Sequence, residues 1–591
     1  MERKLNHILL LVFLIILAGC NRALDLEVED TITDNEFWGS ASDFKLAANA
    51  FYPYLNTFEQ IINRDLCADL LTGSTNNISN STYTIPQSDA ANWDTQWTRI
   101  RAINVFLQKA QAYPYPGEIK SLEGEAFFFR AYINWLLFQN YGAMPIVDRV
   151  VGLNDTLLYA TQAPWTRYVD FMIDDLKKAV DRLPLESQIA QTDKGRISKG
   201  AAQSLLARIA LFEGTWQKFR GNPQRAQEML TIAVDYARQV MESKEYQLFY
   251  DERLSDSRIT GETINTSYRY LFILENPQSN PVGITKSANK EYVLANRYDD
   301  KLRIMNYNLS HALVTSAFSP DQKLLNLYLC RDGLPVSISP FFQGDSSWCS
   351  QFANRDPRMI QSLKVPGVKY WKYGVQGRVN WTGDSLDLST ALITNPSIGQ
   401  VTMTGFSSLK FITERNVALY YESQDCSIIR YAEVLLNYAE AQYELNGNIS
   451  DENLNASINL LRDRVGMAHL TNSLVNDHHL DMREEIRRER TVELYCEGFR
   501  YDDLRRWKTA ETEMSQAILG ARITGTPFAQ TDTFPDKSMY IPPVTSGKLN
   551  ADGYYIVEPA ENRTFLPKHY LRPIPSVEVR ITRLKQNPGW E

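Results

Sequence analysis

Apolar positions recur at helical spacing through much of the first 240 residues. Phe44, Leu46, Ala47, Ala50, Phe51 and Tyr54 fall three and four apart, as do Trp93, Trp97, Ile100, Asn104 and Leu107. That spacing gathers side chains on one face of a 3.6-residue turn and predicts amphipathic helices. Residues 123–140, rich in Phe and Leu, predict a buried helix that stops at Tyr141-Gly142, with Pro145 barring its extension. Residues 199–212 (KGAAQSLLARIALF) predict a helix whose small residues admit a close neighbour, and a further helix is expected over 223–241.

Between about 250 and 427 the texture changes. Gly, Pro, Asn and Ser become frequent, residues 268–274 have the look of a strand, and Trp348, Trp371 and Trp381 stand among turn residues. Helices are expected again over 428–446, 451–465 and 480–508, and the last 40 residues, rich in Pro, should be extended. Consecutive helix–turn–helix pairs of this size are similar to tetratricopeptide units, although the period is not a clean 34. The fold class is therefore mainly α: an irregular tetratricopeptide-like helical scaffold carrying a loop-rich insert. Long loops on a rigid scaffold are where binding residues concentrate.

The first segment bears on location. Arg3 and Lys4 precede an apolar run over 8–18, which is shorter than the roughly 20 residues a spanning helix needs. It ends in Leu17-Ala18-Gly19-Cys20, which resembles the lipobox of bacterial lipoproteins. That resemblance implies removal of residues 1–19 and acylation of Cys20, with more than one acyl chain making the anchoring stable. The layout expected is a signal peptide over 1–19, an acidic tether over 20–40, a helical part over 41–250, the insert over 251–427 and a C-terminal part over 428–591.

Composition adds mainly exclusions. With 62 Lys+Arg against 70 Asp+Glu and a pI near 5.6, the chain lacks the basic excess of a phosphate-backbone binder, so nucleic acid is not an expected partner. The 31 Tyr outnumber the 25 Phe, a balance that suits surfaces with one apolar and one wet end. After Cys20, Cys67, Cys330, Cys349, Cys426 and Cys496 lie far apart without a CxxC, so no zinc site or other metal is expected. A Cys330–Cys349 bridge is open, with buried thiols the alternative.

Catalytic patterns are sparse. HExxH, GxSxG, GxGxxG and the phosphate-cradling GxxxxGK[ST] do not occur, and no cofactor is expected. Gly383-Asp384-Ser385-Leu386 spells the tetrapeptide of GDSL-type esterases, but no Asp-x-x-His exists to supply the base, and a Ser without one is a poor nucleophile. Glu485, Glu489, Glu493 and Glu497 fall at i,i+4, as if along one helix. Their spacing could suit a glycosidase, but like charges so placed repel and demand cations. Arg483, Arg487, Arg488, Arg490, Arg500, Arg505 and Arg506 are the nearby candidates for an ion-paired structural seam.

Residues 428–441 (IIRYAEVLLNYAEA) and 486–508 (IRRERTVELYCEGFRYDDLRRWK) resemble signatures of the SusD/RagB family, with 460–467 (LLRDRVGM) between them. The resemblance extends to 569–575 (HYLRPIP) and 586–590 (QNPGW). Earlier in the chain it takes in 33–38 (TDNEFW), Trp93 with Trp97 and Ile100, Gly124-Glu125-Ala126, 141–145, Asp332-Gly333 and 355–358. It implies a surface nutrient-binding lipoprotein of the cell outer membrane, acting as a lid over a SusC-like TonB-dependent transporter. The motifs mark the fold rather than a site.

The ligand-binding residues must then be argued from chemistry. Glycans present flat C–H faces to aromatic rings and hydroxyls to directional partners. Asp69, Tyr83, Tyr298, Trp348, Trp371 and Tyr373 have that chemistry in or near loops, whereas Trp93 and Trp97 are expected in the core. The expected function is non-enzymatic capture of an oligosaccharide for import. Capture of a peptide or another nutrient is the alternative, and a glycoside hydrolase is disfavoured for want of a catalytic set.

Overall fold

The computed structural model describes residues 37–73, 76–257, 262–314, 318–346, 350–365, 402–415, 417–418, 420–525 and 549–591. Helix α1 (Ala41–Asn49) opens on Ser40, whose hydroxyl accepts from the Asp43 N–H while the Asp43 carboxylate accepts from the Ser40 N–H at 2.8 Å. Thr57 and Gln60 repeat this reciprocal cap at α2 (Phe58–Asp65), which satisfies donors that a helix start leaves open. Then come α3 (Thr95–Ala112), α4 (Lys120–Tyr141), α5 (Trp165–Arg182), α6 (Lys199–Lys218) and α7 (Pro223–Ser243).

Each of α3 to α7 packs on the next. The tight α6–α7 crossing depends on Gly214, where a Cβ would meet the Leu230 side chain at 2.8 Å. Phe128, Tyr132, Tyr168, Leu205 and Leu206 are wholly buried between these helices, in one core that continues into the C-terminal part through Val434, Leu435 and Leu436. There α10 (Tyr431–Asn446) lies against α7, and α12 (Met482–Glu493) lies against α10. The mainly helical class predicted from the sequence is the one observed.

Several expected boundaries shift, each for a local reason. Residues 428–430 are not helical: they end β2 (Cys426–Arg430), which pairs antiparallel with β1 (Tyr292–Asn296), Tyr292 opposite Arg430 and Asn296 opposite Cys426. The two ends of the insert are thereby joined just before α10 begins. Residues 268–274, expected as a strand, contain the short helix α8 (Ser267–Leu271). The helix expected over 451–465 breaks near Ser457, and its second half is α11 (Ile458–Val465). The final 40 residues are not all extended, since Ser576–Ile581 is helical.

The largest departure concerns residues 480–508. Helix α12 ends at Glu493, the chain turns through Cys496 and Gly498 with φ of 63° and 83°, and α13 (Arg500–Arg506) follows. A Cβ at Gly498 would lie 3.1 Å from the Ile61 carbonyl oxygen. In that turn the buried Asp65 carboxylate accepts from the Gly498 and Arg500 N–H groups at 2.8 and 3.2 Å. Glu497 therefore lies beyond the helix that carries Glu485, Glu489 and Glu493.

The acidic stripe is nevertheless an ion-paired seam, with partners other than those nearest in sequence. Arg358, on α9 (Pro357–Ser362), donates to Glu489 at 2.6 Å and to Glu493 at 3.0 Å. Arg462 donates to Glu489 at 2.8 Å. Arg430 joins Glu493, Glu291 and Glu497, each at 2.7–2.8 Å, and Arg464 joins Glu493 and Glu291. Lys410 reaches Glu497 at 2.7 Å, and Asp356 receives Arg358.

Five carboxylates thus face five cations, every side chain 7% exposed or less. Of the seven arginines expected to serve the stripe, only Arg488 does, at Glu485. The others serve Glu444, Glu484, Asp503, Asp69, Asp502 and Glu440. The cluster bolts Glu291, Asp356, Arg358 and Lys410 of the insert to the C-terminal helices.

Burial alone would raise the Glu493 carboxyl, but Arg464, Arg430 and Arg358 hold it well below the ordinary carboxylate range. Removing one charge from such a cluster leaves its partners uncompensated, at a cost of about 3–5 kcal/mol. Glu493→Gln should therefore lower the melting temperature markedly, whereas a melt matching wild type would show the seam to be dispensable.

Asp65 titrates in the opposite sense. Burial pushes it from 3.8 up to about 7, against the two N–H groups that favour its charged form. Its folded value exceeds its unfolded one, so its contribution to stability is complete below about pH 4 and is lost as pH rises through about 7. Asp65→Asn should gain stability relative to wild type between those limits. Melting curves measured in parallel that keep a constant offset across that range would contradict the assignment.

Candidate functional site

Asp69 is 3% exposed, and its carboxylate is already occupied. Arg500 donates to it at 2.8 and 2.9 Å, and Lys323 at 2.7 Å. Burial would raise its carboxyl, but these two cations hold it low, so here it ties α13 to the insert. Tyr83 is half-buried, its ring meeting Trp590 edge-on at 6.0 Å. Tyr298 is buried beneath the Arg303 guanidinium, 5.2 Å from the ring centre, and its N–H donates to Asp425. These three share no partner and line none of the concavities described below. Trp348, Trp371 and Tyr373 lie outside the described residues, as do Cys20, Cys349, Trp381 and Ser385.

An open cleft does form where the insert meets the helical scaffold. One lobe, of about 540 Å³, has Leu271, Leu274 and Tyr292 in its wall, and an adjoining lobe of about 360 Å³ reaches Tyr52 and Lys45 of the N-terminal part. The lobes share Lys194, Gly195, Arg196, Ala295 and Arg297. Arg297 lies across Gly195, where φ is 100° and a Cβ would sit 2.7 Å from its Cδ, and it donates to the Lys194 carbonyl at 2.5 Å. A side chain at 195 would displace the guanidinium between the two lobes.

The aromatic groups of this cleft are fixed by hydrogen bonds. The Tyr292 hydroxyl donates to the Leu271 carbonyl at 3.2 Å, and the Tyr246 hydroxyl lies 2.7 Å from the Ser198 hydroxyl. Gly200 lets the Tyr246 ring approach within 2.5 Å of where its Cβ would be. Lys286 is held by the Tyr298 carbonyl at 2.6 Å and Asp425 at 2.7 Å, and Arg196 by Glu125 at 2.8 and 2.9 Å. The arrangement offers a partly apolar lining and fixed polar edges, in a volume within the size range of small-molecule sites.

A second concavity, of about 430 Å³, is lined by Trp93, Trp97, Ile100, Leu157, Leu158 and Leu584. Trp93 is core, as expected, but Trp97 is half-buried and faces this groove. Its arginines are engaged, Arg101 by the Val151 carbonyl and Arg149 by Asp155.

The carboxyls of Glu186 and Glu578, which line the two concavities, are raised by burial, but those of Glu489, Glu493 and Glu497 in the glutamate stripe are not. A glycosidase acid needs a raised carboxyl, yet Glu489 and Glu497, like Glu493, are buried and then driven low by their cations. The carboxyls pushed up to about 7, Asp65, Asp321 and Glu422, are buried and receive backbone N–H groups of Gly498, Leu324 and Ser310 respectively. Among the described residues no group of His, Cys, Asp and Glu is placed to hold a metal, and Cys67, Cys330, Cys426 and Cys496 are free thiols.

The cleft residues were missed in the sequence because its walls come from segments about 50 to 250 positions apart. A local signal exists over 286–303, where Lys286, Lys290, Arg297, Lys301 and Arg303 crowd one stretch, but it says nothing of Lys45, Lys194 or Lys244 across the cleft.

The fold is thus a helical scaffold carrying a loop-rich insert with paired ends and an open cleft at their junction. The SusD family model matches residues 278–590, and a second model, described as starch-binding associating with outer membrane, matches 27–211. The chain belongs to the SusD family. It is 22% identical over 519 residues to a SusD-like protein, P38, of Formosa agariphila, covering 85% of this chain and 91% of the relative. Among solved structures, a SusD-like carbohydrate binding protein of Bacteroides fragilis aligns with a TM-score of 0.69 at 23% identity, over 93% of this chain and 99% of that one. Surface glycan-binding protein A of Bacteroides fluxus aligns at 0.56 and 17%, over 93% and 100%. Among the described residues no helix is long and apolar enough to cross a membrane.

Proposed function

We propose that this chain is a non-enzymatic surface lipoprotein that captures oligosaccharide and passes it to a SusC-like TonB-dependent transporter in the outer membrane. The observation that carries this reading is the open cleft of about 540 Å³, lined by Tyr292 and by polar side chains, at the junction of scaffold and insert. Family membership supports it, as do the names of the relatives, two of which are described as carbohydrate- or glycan-binding. The buried, cation-bound state of the glutamate stripe fits a protein that binds without cleaving. Trp348, Trp371 and Tyr373 are candidate ligand contacts on the chemistry of their side chains alone.

A solvent-open platform desolvates one face of a sugar, so affinity should lie between micromolar and millimolar, about −8 to −4 kcal/mol. Trp348→Ala or Trp371→Ala should weaken a confirmed glycan by about 2 kcal/mol or more in calorimetric titration while the melting temperature holds. If both variants bind as wild type does, these rings are not anchors. Anchoring is tested separately: Cys20→Ser should leave the protein without lipid label and detached from outer membranes, and unchanged membrane partitioning would remove Cys20 from the account.

A further inference from the structure

The chain as a whole carries a net charge of −8, yet the cleft reverses that sign. Its two lobes are lined by eight Lys and Arg side chains and four Asp and Glu. Half of those cations are already engaged: Lys45 by Asp193, Lys194 by Glu186, Arg196 by Glu125 and Lys286 by Asp425. The remaining four, Lys244, Lys290, Arg297 and Arg303, are exposed.

Lys244 and Lys290 have no carboxylate partner among the described residues. Arg297 comes no nearer than 3.8 Å to Asp425, and Arg303 rests on the Tyr298 ring and donates to the Arg297 carbonyl. The contrast with the buried cluster is marked, because there five cations are matched by five carboxylates. Four cations converging on one concavity repel one another, and a cleft with low-dielectric walls concentrates anions in front of it. A guanidinium fork matches a carboxylate or a sulfate in two parallel hydrogen bonds, and ammonium groups add point charge beside it.

Beneath these charges Leu271 and Leu274 are almost fully buried, and the partly exposed Tyr292 and Ala295 supply the apolar part of the wall. An acidic peptide would use the charges alone. A sugar ring bearing an acidic group uses both, its C–H face against the wall and its anion toward the cations. We propose that this cleft selects anionic oligosaccharides, their carboxylate or sulfate groups held by Arg297 and Lys290, with Lys244 and Arg303 widening the field. The inference rests on the glycan-binding reading above and names the ligand class for it.

The test is calorimetric titration of the full chain with four probes at low and high salt: oligogalacturonate for carboxylate, a carrageenan oligosaccharide for sulfate, a neutral cello-oligosaccharide and oligoglutamate. At least one charged sugar should bind about tenfold or more tighter than the neutral one and weaken as salt rises. Which charged sugar it is distinguishes carboxylate from sulfate. Lys290→Gln with Arg297→Gln should abolish that preference. Lys244→Gln with Lys290→Gln, at two exposed positions without ion pairs to lose, should reduce it with an unchanged melt. Equal binding of neutral and charged sugars, indifferent to salt and to both double variants, would overturn the inference and leave the glycan reading standing. Tight oligoglutamate binding with no response to any sugar would overturn both, and so would the absence of binding by all four probes.

Discussion

A charge removed from water is costly unless it is paired, and the seating of the insert follows from where this fold pairs most of its buried charges. Glu291, Asp356, Glu489, Glu493 and Glu497 are packed against Arg358, Lys410, Arg430, Arg462 and Arg464 with almost no exposure. Such a cluster adds little net stability compared with a well-packed apolar core, but breaking it in part is costly. It therefore specifies one arrangement: the insert seats on the C-terminal helices with all ten partners in register, or several buried charges are left bare.

That seating also determines what the surface can do. With Glu291 and Arg430 drawn into the cluster, β1 and β2 are held at the base of the insert. The residues that continue from β1, Arg297 above all, are then carried across to Gly195 on the helical side. Carboxylates that might have served as acid or base are engaged as structural anions, held low by their cations. Among the cations left outside are those of the cleft. One division of charge thus separates matched charges inside from exposed cations at the junction.

Much of the scaffold was legible in the sequence because its signal is local. The 3.6-residue spacing located α3, α4, α6 and α7 to within about six residues, with α5 not singled out, and like charges at i,i+4 announced that residues 485–493 needed cations. Their identity was not legible, since Arg358 and Arg430 reach Glu493 from 135 and 63 residues away. The break after Glu493 was hidden because Gly498 is required by the carbonyl of Ile61, a contact far off in sequence. The strand at 426–430 runs directly into α10, and only its pairing with 292–296 reveals it. Of the residues singled out as ligand contacts, Asp69 has the chemistry of a sugar ligand and the surroundings of an internal ion pair, a difference that burial alone decides.

The central claim is that the buried charge cluster holds the insert in place and so creates the cleft. Hydrogen exchange on Arg464→Met, a variant that removes one cation facing both Glu291 and Glu493, tests it most directly. The account predicts that amides of 292–296 and 426–430 lose protection first while α4, α6 and α7 keep theirs. Wild-type protection across the β1–β2 pair, or its loss only together with the scaffold helices, would contradict it.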